Sequence, residues 1–469
     1  MDWKATLNLP KTDFPMRADL ARREPAWLAR WEQERQYPKI LEARLREEAA
    51  PFVLHDGPPY PTGGIHYGTV LNKVLKDIVV RSQLIMGRRA VFRPGWDCHG
   101  LPIEQQVEKD LGKAKADLSP AEFRERCRAH ALKFVDVMRA EFKRLGCLGL
   151  WDDPYLTLAK DYEATIVRQL AAFARRGLIY RDKKPVHWCV VHRTALAEAE
   201  VEYEEHTSPS IYVRFPIEGD LGAADPRLLG RRAAFVIWTT TPWTLPANLA
   251  IVANPELSYV ALPVTRGNDA GAPELLVVAE GLAEGFLSAC GIECPVASWI
   301  RIPREGFEKL LGTRYTHPLG IARSHDAAFR LYFARHATLE AGTGLVHTAP
   351  GHGADDYVVG RQVGLPIYAP VDAAGRLTAE VADFGGLPVF EANPKIVQRL
   401  AETGFLLNPP GQSVRHQYPH CWRCKTPIVF RATEQWFARL GAADPRLLGR
   451  RAAFVIWTTT PWTLPANLA

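Results

Sequence analysis

Hydrophobic and polar positions near the start of the chain follow two different periods. The runs at 52–54 and 90–92 are short, continuous and apolar, as is typical of buried strands. The segment between them has helical spacing. Its apolar positions share one face, with four charged positions elsewhere: Val70, Leu71, Val74, Leu75, Ile78 and Val79 against Lys73, Lys76, Asp77 and Arg81. Strand, glycine-rich turn, helix and strand in this order predict the opening of a doubly wound α/β nucleotide-binding domain.

The pattern changes twice further along the chain. Residues 1–50, 119–146 and 159–177 have helical spacing. Between about 205 and 390, short β-rich runs alternate with Gly and Pro, which favours an inserted β-barrel-like domain. These runs are Ile211–Phe215, Ala233–Thr239, Tyr259–Val264, Leu275–Val278 and Gly344–His347.

Composition narrows the class of protein. The 469 residues are 47% hydrophobic and 23% charged, with a net charge of +6, which is ordinary for a globular protein. No apolar run approaches the roughly 20 residues that span a bilayer, and no secretory signal precedes the helical segment. The eight cysteines therefore predict reduced thiols or metal ligands rather than disulfides.

One segment occurs twice without a single change. Residues 221–250 and 440–469 both read LGAADPRLLGRRAAFVIWTTTPWTLPANLA. Structural repeats are tandem and diverged, so this pair reflects either a recent gene duplication or an error in the assembled sequence, and we favour the second. The strand-like run 454–458 in the later copy would compete with 235–239 or lie exposed as a sheet edge.

A turn at 64–69 lies where the first strand gives way to the helix. It contains Gly64, His66, Gly68 and Thr69. A helix N-terminus offers free N–H groups to phosphates, glycines admit a close backbone approach, and an imidazole donates to a phosphoryl oxygen. The same pattern also fits a tight turn with a capping histidine, so by itself it is weak.

Two longer motifs carry a family resemblance. HDGPPYPTGGIHYGT, from His55, and GWDCHGLPIE, from Gly95, resemble the class I aminoacyl-tRNA synthetases, and within them the isoleucyl enzymes. The resemblance implies ATP binding by Gly64, His66, Gly68 and Thr69, catalysis by His66, Thr69 and Asp97, and amino-acid binding by Gly57, Pro58 and Asp97. Thr69 departs from the family signature, which has a second histidine at this position. In this chain, Thr69 therefore either weakens the contact that the family histidine makes with ATP or supplies a hydroxyl in its place.

Two segments of the insert are rich in polar groups. WTTTPWTLPAN, from Trp238, ends a strand with three hydroxyls, which fits either β propensity or a polar pocket. HTAPGHGADDY, from His347, concentrates two His and two Asp. Both resemble the family's editing domain, which implies that Asp356 holds the ammonium of a misattached amino acid and that Thr239, Thr240, Thr241 and His347 surround the ribose and ester. Asp355 reads as a solvated loop acid.

The need for such a second site is energetic. One methylene separates isoleucine from valine, which is worth only about 1–3 kcal/mol in a hydrophobic pocket, so a hydrolytic second sieve is required. This enzyme class is itself the standard illustration of that principle.

Four potential metal ligands form two distant pairs. Cys189 and His192 are three positions apart, as are Cys421 and Cys424. If the insert leaves and re-enters its parent domain side by side, the pairs meet as a Cys₃His set suited to structural zinc. The family has zinc there, usually with Cys in place of His192. A redox Cys-x-x-Cys is the alternative, without a thioredoxin-like context.

The sequence thus predicts an α/β fold, with a class I synthetase Rossmann-like nucleotide-binding domain and an inserted β-barrel-like editing domain. The expected limits are a helical extension at 1–50, the first half of the catalytic domain at 51–204, the insert at 205–394, the return at 395–439 and the duplicated segment at 440–469.

The implied parent activity is isoleucine–tRNA ligation. It uses ATP with Mg²⁺, isoleucine and tRNA, in a cytoplasmic monomer with structural zinc and no membrane contact, and it includes editing of valyl-tRNA. The family's Lys-Met-Ser-Lys-Ser loop is not found around any of the four methionines. We therefore expect no aminoacylation from these 469 residues. Two alternatives are an editing-only hydrolase and a non-enzymatic tRNA-binding pseudo-synthetase.

Overall fold

The structure is a computed structural model that describes residues 3–7, 13, 18–265 and 273–439. These residues form two compact units, one up to Leu178 with Arg439 and one over Ile179–Ala438. The duplicated segment at 440–469, with its strand-like run, lies outside the described residues. The limits predicted for the insert, 205 and 394, remain predictions.

The first unit is mostly helical, with two small parallel pairs of strands. Its helices are α1 (Leu20–Gln33), α2 (Gln36–Arg46), α3 (Tyr67–Ile85), α4 (Leu101–Leu111), α5 (Pro120–Arg144) and α6 (Lys160–Arg175). Its strands are β1 (Pro51–His55), β2 (Arg89–Arg93), β3 (Gly95–Trp96) and β4 (Tyr155–Leu156). β1 pairs in parallel with β2, as a strand–helix–strand crossover through α3 requires, and β3 pairs with β4.

Helix α3 has the expected period but buries an unexpected face. Val80 and Leu84 are buried together with Lys73 and Lys76, whereas Leu71, Leu75 and Ile78 are exposed. Val74 and Val79 are exposed as well and Val70 is half-buried, so most of the apolar positions identified in the sequence face outward in this unit. The inward lysines are tolerated because a buried carboxylate, described below, lies between them.

The second unit contains most of the strands. They are β5 (Ile179–Cys189), β6 (Thr194–Leu196), β7 (Val201–Pro209), β8 (Ile211–Pro216), β9 (Ala233–Thr239), β10 (Ala250–Ala253), β11 (Tyr259–Val264), β12 (Glu274–Ala279), β13 (Ile300–Ile302), β14 (Arg330–Phe333), β15 (Leu345–Thr348), β16 (Ser413–Cys421) and β17 (Val429–Ala438). Its helices are α7 (Ala283–Cys290), α8 (Arg304–Glu308), α9 (Ala354–Val363) and α10 (Val389–Glu402).

The sheets of this unit stay open in the described part of the chain. One has the order β13-β11-β12-β9-β8 and a second has β14-β10-β15. The expected mixed α/β class is confirmed, but these strands do not close into a barrel. A large core of aromatic and aliphatic side chains, including Phe215, Phe235 and Tyr259, fills the unit.

Two long antiparallel ribbons join chain segments that are far apart in sequence. β5 pairs with β17 from Ile179–Ala438 to Trp188–Val429, and β7 pairs with β16 from Val201–Cys421 to Pro209–Ser413. The chain thus leaves and re-enters this region side by side.

Candidate synthetic, hydrolytic and metal sites

His66 caps the N-terminus of α3. Its Nδ1 accepts the Gly68 N–H at 3.1 Å, and the Thr69 hydroxyl accepts the His66 N–H at 3.1 Å. Both side chains therefore satisfy orphan amides of the first turn, as in a reciprocal capping arrangement. Because Nδ1 accepts, a neutral His66 carries its proton on Nε2, and its side chain is exposed. Capping and donation to a ligand are thus compatible.

The loop before α3 is held by a residue that the sequence analysis missed. Glu141, on α5, accepts the Ile65 N–H at 2.8 Å. A Cβ on Gly64 would lie 2.9 Å from the same carboxylate, so a side chain there would have to displace Glu141. The two partners are 76 positions apart, and no local pattern signals the contact.

A buried ionic cluster underlies the predicted amino-acid-binding turn. The fully buried Asp56 carboxylate binds the ammonium groups of Lys73 and, at 2.6 Å, Lys76, and it accepts the Gly95 N–H at 3.0 Å. Burial lowers the pKa of Lys73 to about 8 despite Asp56. This cluster was not predicted from the sequence, although an Asp inside the HDGPP motif and two lysines one helical turn apart on α3 were an available signal.

Asp97 lies beside the turn that contains Gly57 and Pro58. Its N–H donates to the Pro59 carbonyl at 3.0 Å, and its carboxylate accepts the Thr157 hydroxyl at 3.3 Å. The structure thus places Asp97 against the residue that directly follows Gly57 and Pro58. A cavity of about 690 Å³ begins at the next residues, Cys98–Gly100.

The threonines predicted for the hydrolytic site form a chain of hydroxyl contacts with His347. Thr239 Oγ1 lies 3.2 Å from Thr241 Oγ1, which lies 3.4 Å from Thr244 Oγ1. Thr244 Oγ1 lies 2.9 Å from His347 Nε2, and Asn248 Nδ2 lies 2.9 Å from His347 Nδ1. Thr240 is half-buried between them. Thr244 and Asn248 were not predicted as site residues, although both lie inside the WTTTPWTLPAN motif.

His347 is a neutral base at physiological pH. Burial is the main cause that lowers its pKa to about 3, and His317 and His352 lower it further. The imidazole therefore acts as one donor and one acceptor, with both nitrogens already hydrogen-bonded.

Asp356 lies in the first turn of helix α9 and is hydrogen-bonded to the residue that follows β15. Its Oδ2 accepts the Ala349 N–H at 2.9 Å, and a Cβ on Gly353 would lie 2.8 Å from the same oxygen. Burial raises the pKa of this carboxyl to about 6, so it is mostly ionised at neutral pH. Asp355, its neighbour, is exposed as expected.

The four predicted metal ligands come together where the ribbons begin. The ligand atoms of Cys189, His192, Cys421 and Cys424 all lie within 4.8 Å of one another. Cys189 Sγ is 3.6 Å from Cys424 Sγ and 3.4 Å from His192 Nδ1. Thiolates about 2.3 Å from a tetrahedral ion lie about 3.8 Å apart, so this spacing fits a four-coordinate cation.

The thiols of this cluster ionise differently. Burial raises the pKa of the Cys189 thiol to about 12, whereas the pKa of Cys424 is lowered because hydrogen bonds with Thr426 outweigh its burial. A bound cation would favour the thiolate form of both. None of the other five cysteines forms a disulfide in the described part of the chain, and burial raises the pKa of Cys98, Cys127 and Cys147 to about 11.

Comparisons with known proteins indicate what the chain is similar to. A family model described as tRNA synthetases class I (I, L, M and V) matches residues 26–458. The isoleucine–tRNA ligase of Geobacter sulfurreducens is 52% identical over 447 residues, which cover 95% of this chain and 46% of the relative. That of Syntrophotalea carbinolica is 51% identical over 445 residues, 94% of this chain and 46% of the relative. The chain thus spans about half the length of the curated relatives it matches.

Among solved structures, a ternary complex of Agrobacterium radiobacter K84 agnB2 LeuRS with tRNA and LeuAMS matches at 18% identity and a TM-score of 0.34. It covers 88% of this chain and 52% of that one. In the described residues, no helix is both long and apolar enough to cross a bilayer.

Proposed function

This chain belongs to the class I tRNA synthetases (I, L, M and V), and from that premise we propose that it carries two sites of an isoleucine–tRNA ligase. The first binds ATP and isoleucine, and the second hydrolyses valyl-tRNA. Support comes from the 52% identity to an isoleucine–tRNA ligase and from the clustering of the residues described above.

In the proposed synthetic site, the turn before α3 receives the ATP phosphates, which Mg²⁺ accompanies. Gly64 and Gly68 admit the phosphates to the helix N-terminus, Nε2 of His66 donates to a phosphoryl oxygen, and Thr69 holds His66 in place. The Asp97 carboxylate pairs with the ammonium of isoleucine beside Gly57 and Pro58. These ligand assignments are supported by the observed positions of His66, at the N-terminus of α3, and of Asp97, beside the turn.

In the proposed hydrolytic site, ionised Asp356 pairs with the ammonium of the misattached valine. The hydroxyls of Thr239, Thr240 and Thr241, together with His347, surround the terminal ribose and the ester. The observation that carries this proposal is the hydroxyl–imidazole chain from Thr239 to His347, because it joins in one network the polar side chains that the family resemblance assigns to the ribose and the ester.

The cation of the Cys₃His cluster is proposed to be Zn²⁺. Three thiolates and one imidazole are the ligands this ion prefers, and the cluster has no open position for a substrate, as expected for a structural site.

Deacylation of valyl-tRNA for isoleucine tests the hydrolytic site in this chain. Wild type is expected to hydrolyse valyl-tRNA faster than isoleucyl-tRNA, and Asp356→Ala to lose most of that rate. Asp355→Ala, which changes the exposed neighbour, is the matched control and should stay near wild type. If wild type binds tRNA but leaves the ester intact, the proposal fails and the non-enzymatic alternative is favoured.

A further inference from the structure

A run of buried polar side chains leads from the interior of the second unit to the threonine-rich turn. Tyr315, fully buried, donates its hydroxyl to Asn248 Oδ1 at 2.6 Å. Asn248 is 1% exposed, and its Nδ2 donates to the Ala250 carbonyl at 2.9 Å while lying 2.9 Å from His347 Nδ1. Every member before Thr241 is buried, and Thr241 is half-buried.

The orientation of the Asn248 amide is fixed from two sides. The Ala250 carbonyl only accepts, so turning the amide over would place two acceptor oxygens 2.9 Å apart. The same turn would leave the phenolic proton of Tyr315 without the amide oxygen that now accepts it. Nδ2 therefore faces His347, and His347 Nδ1 must accept. A neutral ring then carries its proton on Nε2 and donates it to Thr244.

This proton placement sets the direction of every hydroxyl that follows. Thr244 donates its own proton to the Thr241 carbonyl at 2.8 Å, so the proton in the Thr241–Thr244 contact belongs to Thr241. Because Thr241 has then used its proton, the Thr239–Thr241 contact takes its proton from Thr239. Thr239 also accepts the Thr241 N–H at 3.1 Å. Each of these two hydroxyls retains one lone pair and no free proton.

We propose that Tyr315 and Asn248 are positioning residues that hold His347 as its Nε2–H tautomer, so that Thr239 and Thr241 face the ligand as hydrogen-bond acceptors only. The group they take is an N–H or O–H donor, such as an ammonium or a ribose hydroxyl. This inference rests on the proposed hydrolytic function for its ligand, while the proton placement stands on the hydrogen bonds alone.

Nitrogen NMR of the histidine rings tests the proton placement directly. In the ¹⁵N-histidine-labelled chain, the signal assigned to His347 by its loss in His347→Gln is expected to show protonated Nε2 and bare Nδ1. In Asn248→Asp, the carboxylate accepts where the amide donated, so the His347 proton should move to Nδ1. An Nδ1–H ring in wild type, or an unchanged ring in Asn248→Asp, would overturn the proposal.

Tyr315→Phe separates positioning from mere packing. Without the phenolic proton, the amide loses one of its two constraints, and His347 should show a mixture of both tautomers. Valyl-tRNA hydrolysis should fall by about tenfold or more, since an imidazole in the wrong tautomer loses its function without losing its place. Both signals remaining at wild-type values would refute the role of Tyr315.

Tyr259→Phe is the matched control for this variant. Tyr259 is also buried, but its hydroxyl binds only backbone, the Asn254 N–H and the Gly344 carbonyl, both at 2.9 Å. Its loss should lower the midpoint of urea unfolding without changing the His347 ring or the rate of hydrolysis. A wild-type chain that hydrolyses nothing would remove the proposed function, whereas the NMR result would still decide the proton placement.

Discussion

Gly68 packs closely against the ring of the residue that caps its helix. A Cβ at this position would lie 2.9 Å from Cε1 and 3.1 Å from Nδ1 of His66. Gly63, in the same loop, has nothing within 4 Å of its Cβ position. The two glycines therefore differ in whether a methyl group would displace the histidine.

Gly68→Ala is expected to weaken ATP binding by about tenfold to a hundredfold, because displacing the His66 ring loses a hydrogen bond to a charged phosphoryl group, worth about 1.5–3 kcal/mol. Equilibrium dialysis with labelled ATP measures the affinity. Gly63→Ala, the control, should bind ATP about as well as wild type. Equal affinities for all three proteins would contradict the placement of His66 in the ATP site.

Asp56→Asn is expected to destabilise the first unit strongly. It leaves Lys73 and Lys76 buried without a carboxylate, which costs about 3–5 kcal/mol in the free energy of unfolding. Urea unfolding measures the loss. Asp153→Asn removes an exposed ion pair with Arg93 and should cost about 0–1 kcal/mol. A similar small cost in both variants would show that Asp56 does not neutralise the lysines.

At the scale of elements, helix α3 shows what a sequence pattern can and cannot specify. Its helical period was predictable from spacing, because that depends only on local side-chain recurrence. The face that packs inward was not, because burial of Lys73 and Lys76 depends on Asp56, a residue from the preceding loop. The Glu141 contact with Ile65 escaped for the same reason, since it joins two elements distant in sequence.

The distant cysteine pairs were predictable because their spacing is itself a chemical pattern. Each pair has the two-residue gap of a metal knuckle, so the Cys₃His set could be predicted from the sequence without the pairing of the ribbons. By contrast, Asn248 and Tyr315 are 67 positions apart and carry no ligand motif between them. Their contact depends on the packing of the insert, which sequence spacing does not encode.

The metal cluster should stabilise the paired ribbons β5–β17 and β7–β16. We expect about one zinc per chain by elemental analysis, lost in Cys421→Ser, with a lower melting temperature because metal affinity contributes to folding. Cys290→Ser, which changes a buried thiol outside the cluster, should retain the ion. A folded wild-type chain without metal would contradict the zinc site.

At the scale of the whole molecule, acid should destabilise the second unit below pH 6.5. Burial lowers the pKa of His317 and His352 to about 4 and, with neighbouring histidines, that of His347 to about 3. Unfolded histidines bind protons near pH 6.5. The stabilisation that comes from burying these three neutral rings is thus fully present above pH 6.5. It is lost as the pH falls toward 4 for His317 and His352 and toward 3 for His347.

Each histidine contributes up to about 1.4 kcal/mol per pH unit in this range. Asp356 has the opposite sign, since its raised pKa of about 6 lets the folded state take up a proton first, between pH 6 and 3.8. The free energy of unfolding, measured with urea from pH 7.5 to 4.5, should therefore decrease as the pH falls. The decrease is the sum of the three histidine contributions less that of Asp356. A constant free energy of unfolding would contradict neutral burial of the three rings.

The metal cluster also has a consequence for the timing of synthesis. Cys189 and Cys424 are 235 residues apart, so the cluster stays incomplete until the ribosome has made everything between them. At about 5–20 residues per second, that interval lasts roughly 12–47 s. During this interval Cys189 and His192 provide only two of the four ligands, so they bind a cation weakly. The four-ligand cluster can therefore form only after the whole insert has been synthesised. A chain whose synthesis stalls within the insert cannot form it.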